Sequence, residues 1–537
     1  MIRQRDGLLT ALLTLLLLWA PLPFGSVTTR ALAGLEVAAF LAFALAIAGT
    51  GLSSAGGAEP PAAAAGARAP TPPPVDRRAA LAAVAVPVAA LASFALLGLL
   101  QSLPWPHPLL ALLSPEHARL YRQADALLKE VGSPASAPAT LSLAGSASRE
   151  AALAWAASAA AFAAAAVAGR QRRQRRILAV ALVLGALLQV LAGARAWFAR
   201  STTIWGIEVP GNNNRLRGSF IDADHLALYI GLALPAVFAW GWWSARRASG
   251  DSQVDRRVLL VAPPVLLWLT LFAGLAFTGS RAGMAAGVIA AAVQGLLVAF
   301  TQRRFRLAPV GIAAAVAGLG VVASIGLSEG LGRMLSASSY EVTWNVRRQA
   351  YAATVALWRR FPLFGAGLGS FREAFPLVQP PDLVGAWRHA HSDPLEVLAT
   401  VGLAGAALLA VGMAALLPRL AVILRDGRRS EDRAAGLAAL GVLAALAIHE
   451  SLDFGLAIPG NAFTLAILLG AAASAKTGRR RLQASRRGRP RRGAPGEGDA
   501  AGKDRPAGDG VDLQEVKPRG KRGGKGDRRP GRGGDAP

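Results

Sequence analysis

The chain has 537 residues, of which 53% are hydrophobic and 17% are charged, and it contains no cysteine. With a mean hydropathy of +0.39, it carries too much apolar surface for an ordinary soluble fold, and the missing cysteines exclude disulfides, thiol catalysis and thiolate metal sites. Much of the net charge of +26 lies in short loops and after Lys476, so it does not require a nucleic-acid partner, and none is expected.

Apolar runs of roughly 20 residues, long enough to cross about 30 Å of hydrocarbon, recur along the chain. They predict an all-α fold, a polytopic transmembrane helical bundle of about twelve spans. The runs lie near residues 8–27, 31–52, 79–101, 149–169, 177–198, 223–245, 258–278, 283–300, 307–327, 394–417, 434–452 and 456–475. The fourth is the weakest, because it consists mostly of alanine.

Arginine-rich segments predict the orientation of the bundle, because basic loops are retained on the cytoplasmic side. They follow the N-terminal methionine and recur at every second boundary, at 77–78, 170–176, 246–257, 303–306 and 425–433. Twelve crossings would place both termini in the cytoplasm, in the cytoplasmic (inner) membrane. A cleaved signal peptide remains an alternative for the first run, although its removal would invert every later loop against the charge rule.

The same pattern divides the chain into six predicted regions. They are an N-terminal transmembrane pair (1–52), a Pro/Ala-rich cytoplasmic linker (53–78), a transmembrane bundle (79–327), a large periplasmic loop (328–393), C-terminal transmembrane helices (394–476) and a basic cytoplasmic tail (477–537). The tail has almost no apolar residues, so we predict that it is disordered. It could anchor the topology, touch anionic lipid or recruit a partner.

Within the large loop, residues 349–360 space apolar side chains along one helix face, which predicts a helix on the membrane surface. Pro362 and the glycines that follow it should end this helix. Before the next span, we expect Asp393 to cap the helix and Pro394 to occupy its first turn.

Arginines on the expected outer face run against the sorting trend and therefore ask for a reason. They are Arg215, Arg217, Arg281, Arg347 and Arg348. A guanidinium group presents a planar fork of donors that suits phosphate oxygens, so several of them in one cleft would form a diphosphate site. A lipid headgroup contact or a salt bridge remains an alternative for each.

Histidines on the same face are candidates for proton transfer. His389 and His391 precede the tenth apolar run, and titratable groups at the edge of hydrocarbon lose hydration, which makes them costly to keep without a function. An imidazole suits a general base at neutral pH, but capping or simple hydrogen bonding remains possible for either one. For His225 and His449, near other outer span ends, we expect packing or substrate contact.

Two carboxylates, Asp222 and Asp224, stand just before the sixth run. Such a pair can hold a divalent metal with a diphosphate, but capping of the following helix is the simpler interpretation. We therefore predict no required metal and no cofactor.

Several of these segments, in this order, resemble the O-antigen ligase and O-antigen polymerase family of bacterial membrane glycosyltransferases. The matching pieces are Arg215–Phe220, Asp222–Ala227, Thr278–Gly283, Arg348–Tyr351, Pro362–Gly367 and His391–Gly405. The resemblance covers about residues 199–475. The chain departs from the family where Asp222-Ala223-Asp224 replaces an Asn-Pro-Asn turn and Ser392 replaces an Asn.

The resemblance implies a GT-C-like bundle that transfers a glycan from a polyprenyl-diphosphate carrier to a lipid or glycan acceptor at the outer face. It assigns the general base to His391, with His389 in reserve. For this chemistry we choose Arg215, Arg281 and Arg348 to bind the diphosphate, and Arg217, Arg347, His389, Asp222 and Asp224 are secondary site candidates. Expected partners are the donor, the acceptor and membrane lipids. The sequence does not separate a ligase from a polymerase.

Two other classes of protein remain open. A transporter or flippase for a polyprenyl-linked glycan would usually show internal repeats and polar groups at mid-membrane, whereas here the ionisable residues gather at span ends. A structural subunit that recruits a partner through its basic tail would leave the outer arginines and histidines unexplained.

Overall fold

The computed structural model describes residues 2–48, 76–133, 138–209, 215–302 and 344–478. All of them belong to one compact unit, Met1–Leu482, while the second unit, Gln483–Pro537, lies outside the described residues. The predicted span at 307–327, most of the linker and nearly all of the basic tail also fall outside them.

The described part of the chain is almost entirely helical, which confirms the predicted all-α class. Its helices are α1 Ile2–Trp19, α2 Thr29–Ile47, α3 Arg77–Ala82, α4 Ala85–Gln101, α5 His107–Leu113, α6 Pro115–Glu130, α7 Gly145–Gly169, α8 Arg172–Phe198, α9 Ala223–Ala248, α10 Val254–Phe277, α11 Arg281–Gln302, α12 Trp344–Arg360, α13 Phe371–Ala374, α14 Asp393–Asp426, α15 Ser430–Leu452 and α16 Pro459–Ala473. Three 3-10 turns, Phe24–Ser26, Phe375–Leu377 and Gly455–Ala457, and one hairpin, β1 Thr203–Ile204 with β2 Ile207–Glu208, complete the secondary structure of the described residues.

Eight of the described helices are long and apolar enough to cross a membrane: α2, α7, α8, α9, α10, α11, α14 and α15. The apolar helices α4 and α16 are shorter, with 17 and 15 residues, and α1 overlaps the first apolar run. Every predicted run within the described residues therefore overlaps a helix. The total of twelve spans remains a prediction.

The alanine-rich helix α7 is a span that faces protein. Residues 159–168 are all buried, and α7 packs tightly against α16. A Cβ atom on Gly470 would lie 2.2 Å from the carbonyl oxygen of Phe162, and one on Gly169 would lie 2.3 Å from that of Ala471. Small side chains allow this close helix contact. The alanine content of α7 therefore suits a helix packed against other helices, and it does not indicate a loop.

Helix α14 is interrupted at Gly402, whose φ of 62° and ψ of −164° are not helical. The glycine loop, residues 361–369, docks at this break: the Gly367 N–H donates to Thr400 O at 2.8 Å, and the Leu403 N–H donates to Pro362 O at 2.9 Å. The loop follows the end of α12 at Arg360, which confirms the predicted helix stop. Backbone bonds thus replace the helical ones lost at the break.

Helix α6 also contacts the end of α12, through an ion pair. The carboxylate of Glu116 accepts from Arg119 at 2.7 Å and from Arg360 at 2.9 Å, and hydrogen bonds from Arg119 and Arg360 lower the pKa of Glu116 to about 2 against the effect of burial. Beside it, the buried ring of His117 lies 4.5 Å from that of Phe361, and burial lowers the pKa of His117 to about 4.

Charged residues near the starts of α1, α3, α8 and α15 lie at one end of the bundle. Arg77 Nη2 lies 2.8 Å from Asp6 Oδ1, and Gln171 Nε2 donates to Asp6 Oδ2 at 3.3 Å. Arg175 pairs with Asp432, and both side chains are buried. This agrees with the predicted alternation of the spans, and we refer to this end as the basic end. The compartment that it faces remains a prediction.

Candidate active site

A cavity of about 740 Å³ opens at the end of the bundle opposite the basic end. Its walls come from the turn between α1 and α2, the start of α9, the segment before α14 and the connection between α15 and α16. The titratable wall residues are Asp222, His225, Arg388, His389 and His391, and most of the other wall residues are apolar or aromatic. A volume of this size accommodates a ligand rather than a few waters.

The ring of Phe454, just after α15, contacts three histidines in this cavity. It stacks on His389 with a centroid distance of 4.4 Å and an interplanar angle of 13°. It meets His391 at 4.7 Å and His225 at 5.0 Å, both edge to face. A single aromatic ring therefore orients imidazoles from two separate segments.

His391 is held from both its backbone and its ring. Its φ of 54° lies in the left-handed region, which is costly for a residue with a side chain, and the Tyr351 hydroxyl donates to its carbonyl at 2.8 Å. Its Nδ1 lies 3.5 Å from Asp453 Oδ1, a charge contact that is long for a hydrogen bond. Such contacts often tighten when substrate binds.

Asp453 is 4% exposed, and it directly follows α15. Burial acts to raise its pKa, but the imidazole of His391 and further positive groups nearby hold the pKa of Asp453 below its usual range. The carboxylate therefore remains charged at neutral pH.

His389 has a carboxylate partner of its own. Its Nδ1 lies 3.0 Å from Glu396 Oε1, and the other carboxylate oxygen accepts from the Ala390 N–H at 2.8 Å. Glu396 belongs to the first turn of α14. This pairing ties the segment before α14 to the helix itself and thereby fixes the backbone on which His391 stands.

Arg215 is tied to the start of α9 and to the end of α10. It donates to Asp224 Oδ1 at 2.7 Å and to Thr278 O at 2.6 Å, and it lies 3.9 Å from Asp222. The structure thus brings Arg215 to both predicted aspartates and to the short turn that ends at Arg281. The Arg215 guanidinium is already partly neutralised by carboxylates.

Asp222 caps α9, as predicted, because its side chain accepts from the Asp224 N–H at 2.9 Å. Among the described residues, no group of three or more His, Asp or Glu side chains is arranged to hold a metal ion. That the reaction requires no metal stays a prediction.

Arg217 and Arg347 bind backbone carbonyls. Arg217 is 7% exposed and donates to Thr202 O at 2.7 Å, which holds the residues around the hairpin. Arg347 donates to Leu452 O at the end of α15, directly before Asp453. Arg217 therefore organises a loop, while Arg347 joins α12 to the carboxylate that faces His391.

Arg281 and Arg348 are both exposed, on the first turn of α11 and the second turn of α12. Neither they nor Arg215 line the cavity. Its described walls contain a different arginine, Arg388. The structure thus joins His391, His389 and Asp222 in one cavity, with Arg215 beside Asp222.

One prediction was wrong. Asp393 does not cap α14: it is the first helical residue, Ser392 occupies the cap position without a side-chain cap bond, and Asp393 Oδ2 accepts from the Leu456 N–H at 3.3 Å. The connection before α16 brings the Leu456 N–H, which also donates to Glu450 Oε2 at 3.0 Å, close to the Asp393 carboxylate, and this tertiary contact replaces the local one. Pro394 does lie in the first turn.

Sequence reasoning also missed Asp453, Glu396 and Phe454 as parts of the site. An acid directly after an apolar span was visible in the sequence, so Asp453 could have been found by the argument that selected the histidines. Phe454 gave no such signal, because an aromatic residue at a span end is common.

Fold and cavity together define a polytopic membrane protein with an imidazole–carboxylate site at one end of its helices. Residues 265–410 match the family model described as O-antigen ligase. The resemblance seen in the sequence is thereby confirmed for this segment, which is similar to the O-antigen ligase family. No curated protein matches the chain. The matched segment includes Arg281, Arg348 and His391, whereas Arg215, Asp222 and Asp453 lie outside it.

Proposed function

We propose that the protein transfers a glycan from a polyprenyl-diphosphate carrier to a lipid or glycan acceptor, with His391 as general base. The observation that carries this proposal is the setting of His391: it has strained backbone, lies in a cavity wall, faces Asp453 and belongs to the matched segment. Strain of this kind is retained where the surrounding structure needs a side chain in one position.

In the proposed reaction, an acceptor hydroxyl oxygen attacks the anomeric carbon of the donor glycan and its proton passes to Nε2 of His391. The bond from that carbon to the diphosphate oxygen breaks, and its electron pair leaves on the polyprenyl diphosphate. Asp453 lies on the Nδ1 side of the ring, so it stabilises the imidazolium and leaves Nε2 for the acceptor.

Negative charge grows on the leaving diphosphate, so guanidinium groups near it lower the barrier. We propose that Arg281 and Arg348 donate hydrogen bonds to the diphosphate, because they are exposed and adjoin segments that form the site. Arg388 joins them as a cavity-wall residue. Arg215, already bonded to Asp224, would orient the start of α9 and share its remaining donor capacity with the diphosphate.

The apolar part of the cavity suits the hydrocarbon chain of the carrier. Phe24 and Val27 come from the turn between α1 and α2, and Ile458 comes from the connection before α16. We propose that the prenyl chain lies along this wall. The identity of the acceptor decides between a ligase and a polymerase, which would share the donor and the base.

The decisive experiment replaces His391 with alanine in the native host and measures both the lipid-linked glycan and the finished surface polysaccharide. Loss of the base should lower turnover roughly 100-fold or more. The lipid-linked donor should therefore accumulate, and the finished polysaccharide should fall. His107→Ala is the matched control, since His107 is exposed at the start of α5 and outside the cavity walls.

Normal product at normal expression of His391→Ala would remove this residue from the mechanism. Reconstitution with a labelled polyprenyl-linked glycan separates the enzyme from a transporter: an enzyme forms a new glycan linkage, whereas a transporter moves the glycan across the membrane and leaves it on its carrier.

A further inference from the structure

A second cavity, of about 470 Å³, lies at the basic end of the bundle. Helix α15 connects the two sites: Asp453 follows its last residue, while the second cavity contains its first two residues, about 35 Å away at 1.5 Å per residue. The wall residues are Arg172, Trp243, Arg246, Arg247, Arg429, Ser430 and Glu431.

The charge of these walls is unbalanced. Four guanidinium groups face one carboxylate, and that carboxylate, on Glu431, is shared between Arg172 at 3.6 Å and Arg176 outside the walls. The next acid along the chain, Asp432, is buried against Arg175 and does not neutralise the cavity. The cavity therefore has a strong excess of positive charge that no wall residue balances.

Indole rings hold two of the arginines in place. Arg246 Cζ lies 5.4 Å from the ring centroid of Trp242, and Arg247 Cζ lies 5.7 Å from that of Trp243. Both arginines are exposed, as is Arg429. Stacking on an indole restrains a guanidinium while leaving its edge donors available, and tryptophans are enriched at the depth of lipid headgroups.

We propose that this cavity binds a phosphate group, with the headgroup of an anionic phospholipid as the favoured source. The planar forks of several arginines match phosphate oxygens in a way that isolated lysines would not. The site lies at the ends of three helices, where headgroups are found, and basic pockets between spans on the cytoplasmic side commonly take anionic lipids.

The test uses the full chain in detergent, titrated with phosphatidylglycerol or with phosphatidylcholine and followed by native mass spectrometry. The wild type should retain phosphatidylglycerol preferentially, and the double variant Arg246→Gln/Arg247→Gln should bind it roughly 10- to 30-fold more weakly. The control is Arg256→Gln/Arg257→Gln, which removes the same charge from exposed residues in the first turn of α10, outside the described cavity walls. It should bind as the wild type does.

In a parallel arm, thermal unfolding is measured with and without millimolar inorganic phosphate. Stabilisation that disappears in Arg246→Gln/Arg247→Gln, without any lipid preference, supports the phosphate site and assigns it to a soluble source. Equal weakening of lipid binding in both double variants would overturn the proposal, because it would show general charge attraction. So would retention of both lipids alike together with no effect of phosphate.

A charge-preserving variant guards against misfolding. Arg246→Lys/Arg247→Lys keeps both positive charges but loses the planar forks, so its affinity for phosphatidylglycerol should fall between those of the wild type and the glutamine variant. Wild-type affinity in this lysine variant would contradict recognition by guanidinium geometry.

Discussion

The two cavities at the ends of α15 differ in how their charged groups are balanced. At the His391 end three carboxylates each face a basic group: Asp453 faces His391, Glu396 faces His389, and Asp224 faces Arg215. At the basic end the cavity walls contain four guanidinium groups and one carboxylate. One helix therefore connects a site of matched charges with a site of unmatched charge.

This difference corresponds to two kinds of work. A group that must exchange a proton needs a fixed orientation and a partner that stabilises its charged form, and paired carboxylates provide both. A site that only holds an anion gains from surplus positive charge, since the ligand itself supplies the balance. The predictions below test whether the His391 end depends on its pairs, beginning with the largest expected effect.

The scaffold of the His391 end should fail when the glycine loop cannot dock. In Gly365→Val, the new Cβ would meet the backbone carbon of Thr400 at 2.2 Å, and φ is +68°. We expect a loss of roughly 3 kcal/mol or more, and little folded protein by size-exclusion chromatography.

The control for this prediction is Gly132→Val. Gly132 has a φ of +71° but nothing within 4 Å of its ideal Cβ position, so this variant isolates the backbone cost, about 1–2 kcal/mol. Equal losses in the two variants would show that the close contact with Thr400 does not matter.

Removal of the charge that faces His391 should affect turnover next most strongly. Asp453→Asn keeps the size of the side chain but cannot stabilise an imidazolium, so we expect turnover in proteoliposomes to fall roughly 10²- to 10⁴-fold. Glu396→Gln, which alters the partner of His389, should cost much less. The reverse order would assign the base to His389.

The proposed diphosphate contact should produce a smaller effect. Arg348→Gln is expected to lower kcat/KM for the lipid-linked donor about 10- to 100-fold without changing thermal unfolding, because the residue is exposed and its charge acts on the leaving group. Arg359→Gln removes an exposed charge from the same helix and should have little effect. Similar losses in both variants would contradict a specific role for Arg348.

The smallest effect at neutral pH concerns His117, a histidine outside the cavity. Burial lowers the pKa of His117 to about 4, so it is neutral in the folded protein and would take up a proton on unfolding below about pH 6.5. The contribution of neutral His117 to the free energy of unfolding is complete above pH 6.5. It is lost as the pH falls towards 4, by up to about 3 kcal/mol. Thermal unfolding between pH 4 and 7.5 should show this slope in the wild type and a weaker one in His117→Gln.

The positions of the helices were largely visible in the sequence, because the length of an apolar run is a local property. The helix stop after Arg360 was also predicted, since proline and glycine act on their own neighbourhood. Helix α7 was the uncertain case. Its alanines are weakly apolar alone, and their contacts with α16, α4 and α2 explain why they are buried.

For the candidate site, the sequence alone determined the residue types and the side of the bundle to which each belongs, because hydrophobicity and charge sorting act span by span. Only the tertiary structure decided which of these residues meet. It set Asp453 and Phe454 against His391, turned Asp393 to a neighbouring N–H, and placed Arg388 in the cavity wall. Such contacts join residues far apart in the chain, and their geometry depends on how the helices pack, which no local pattern encodes.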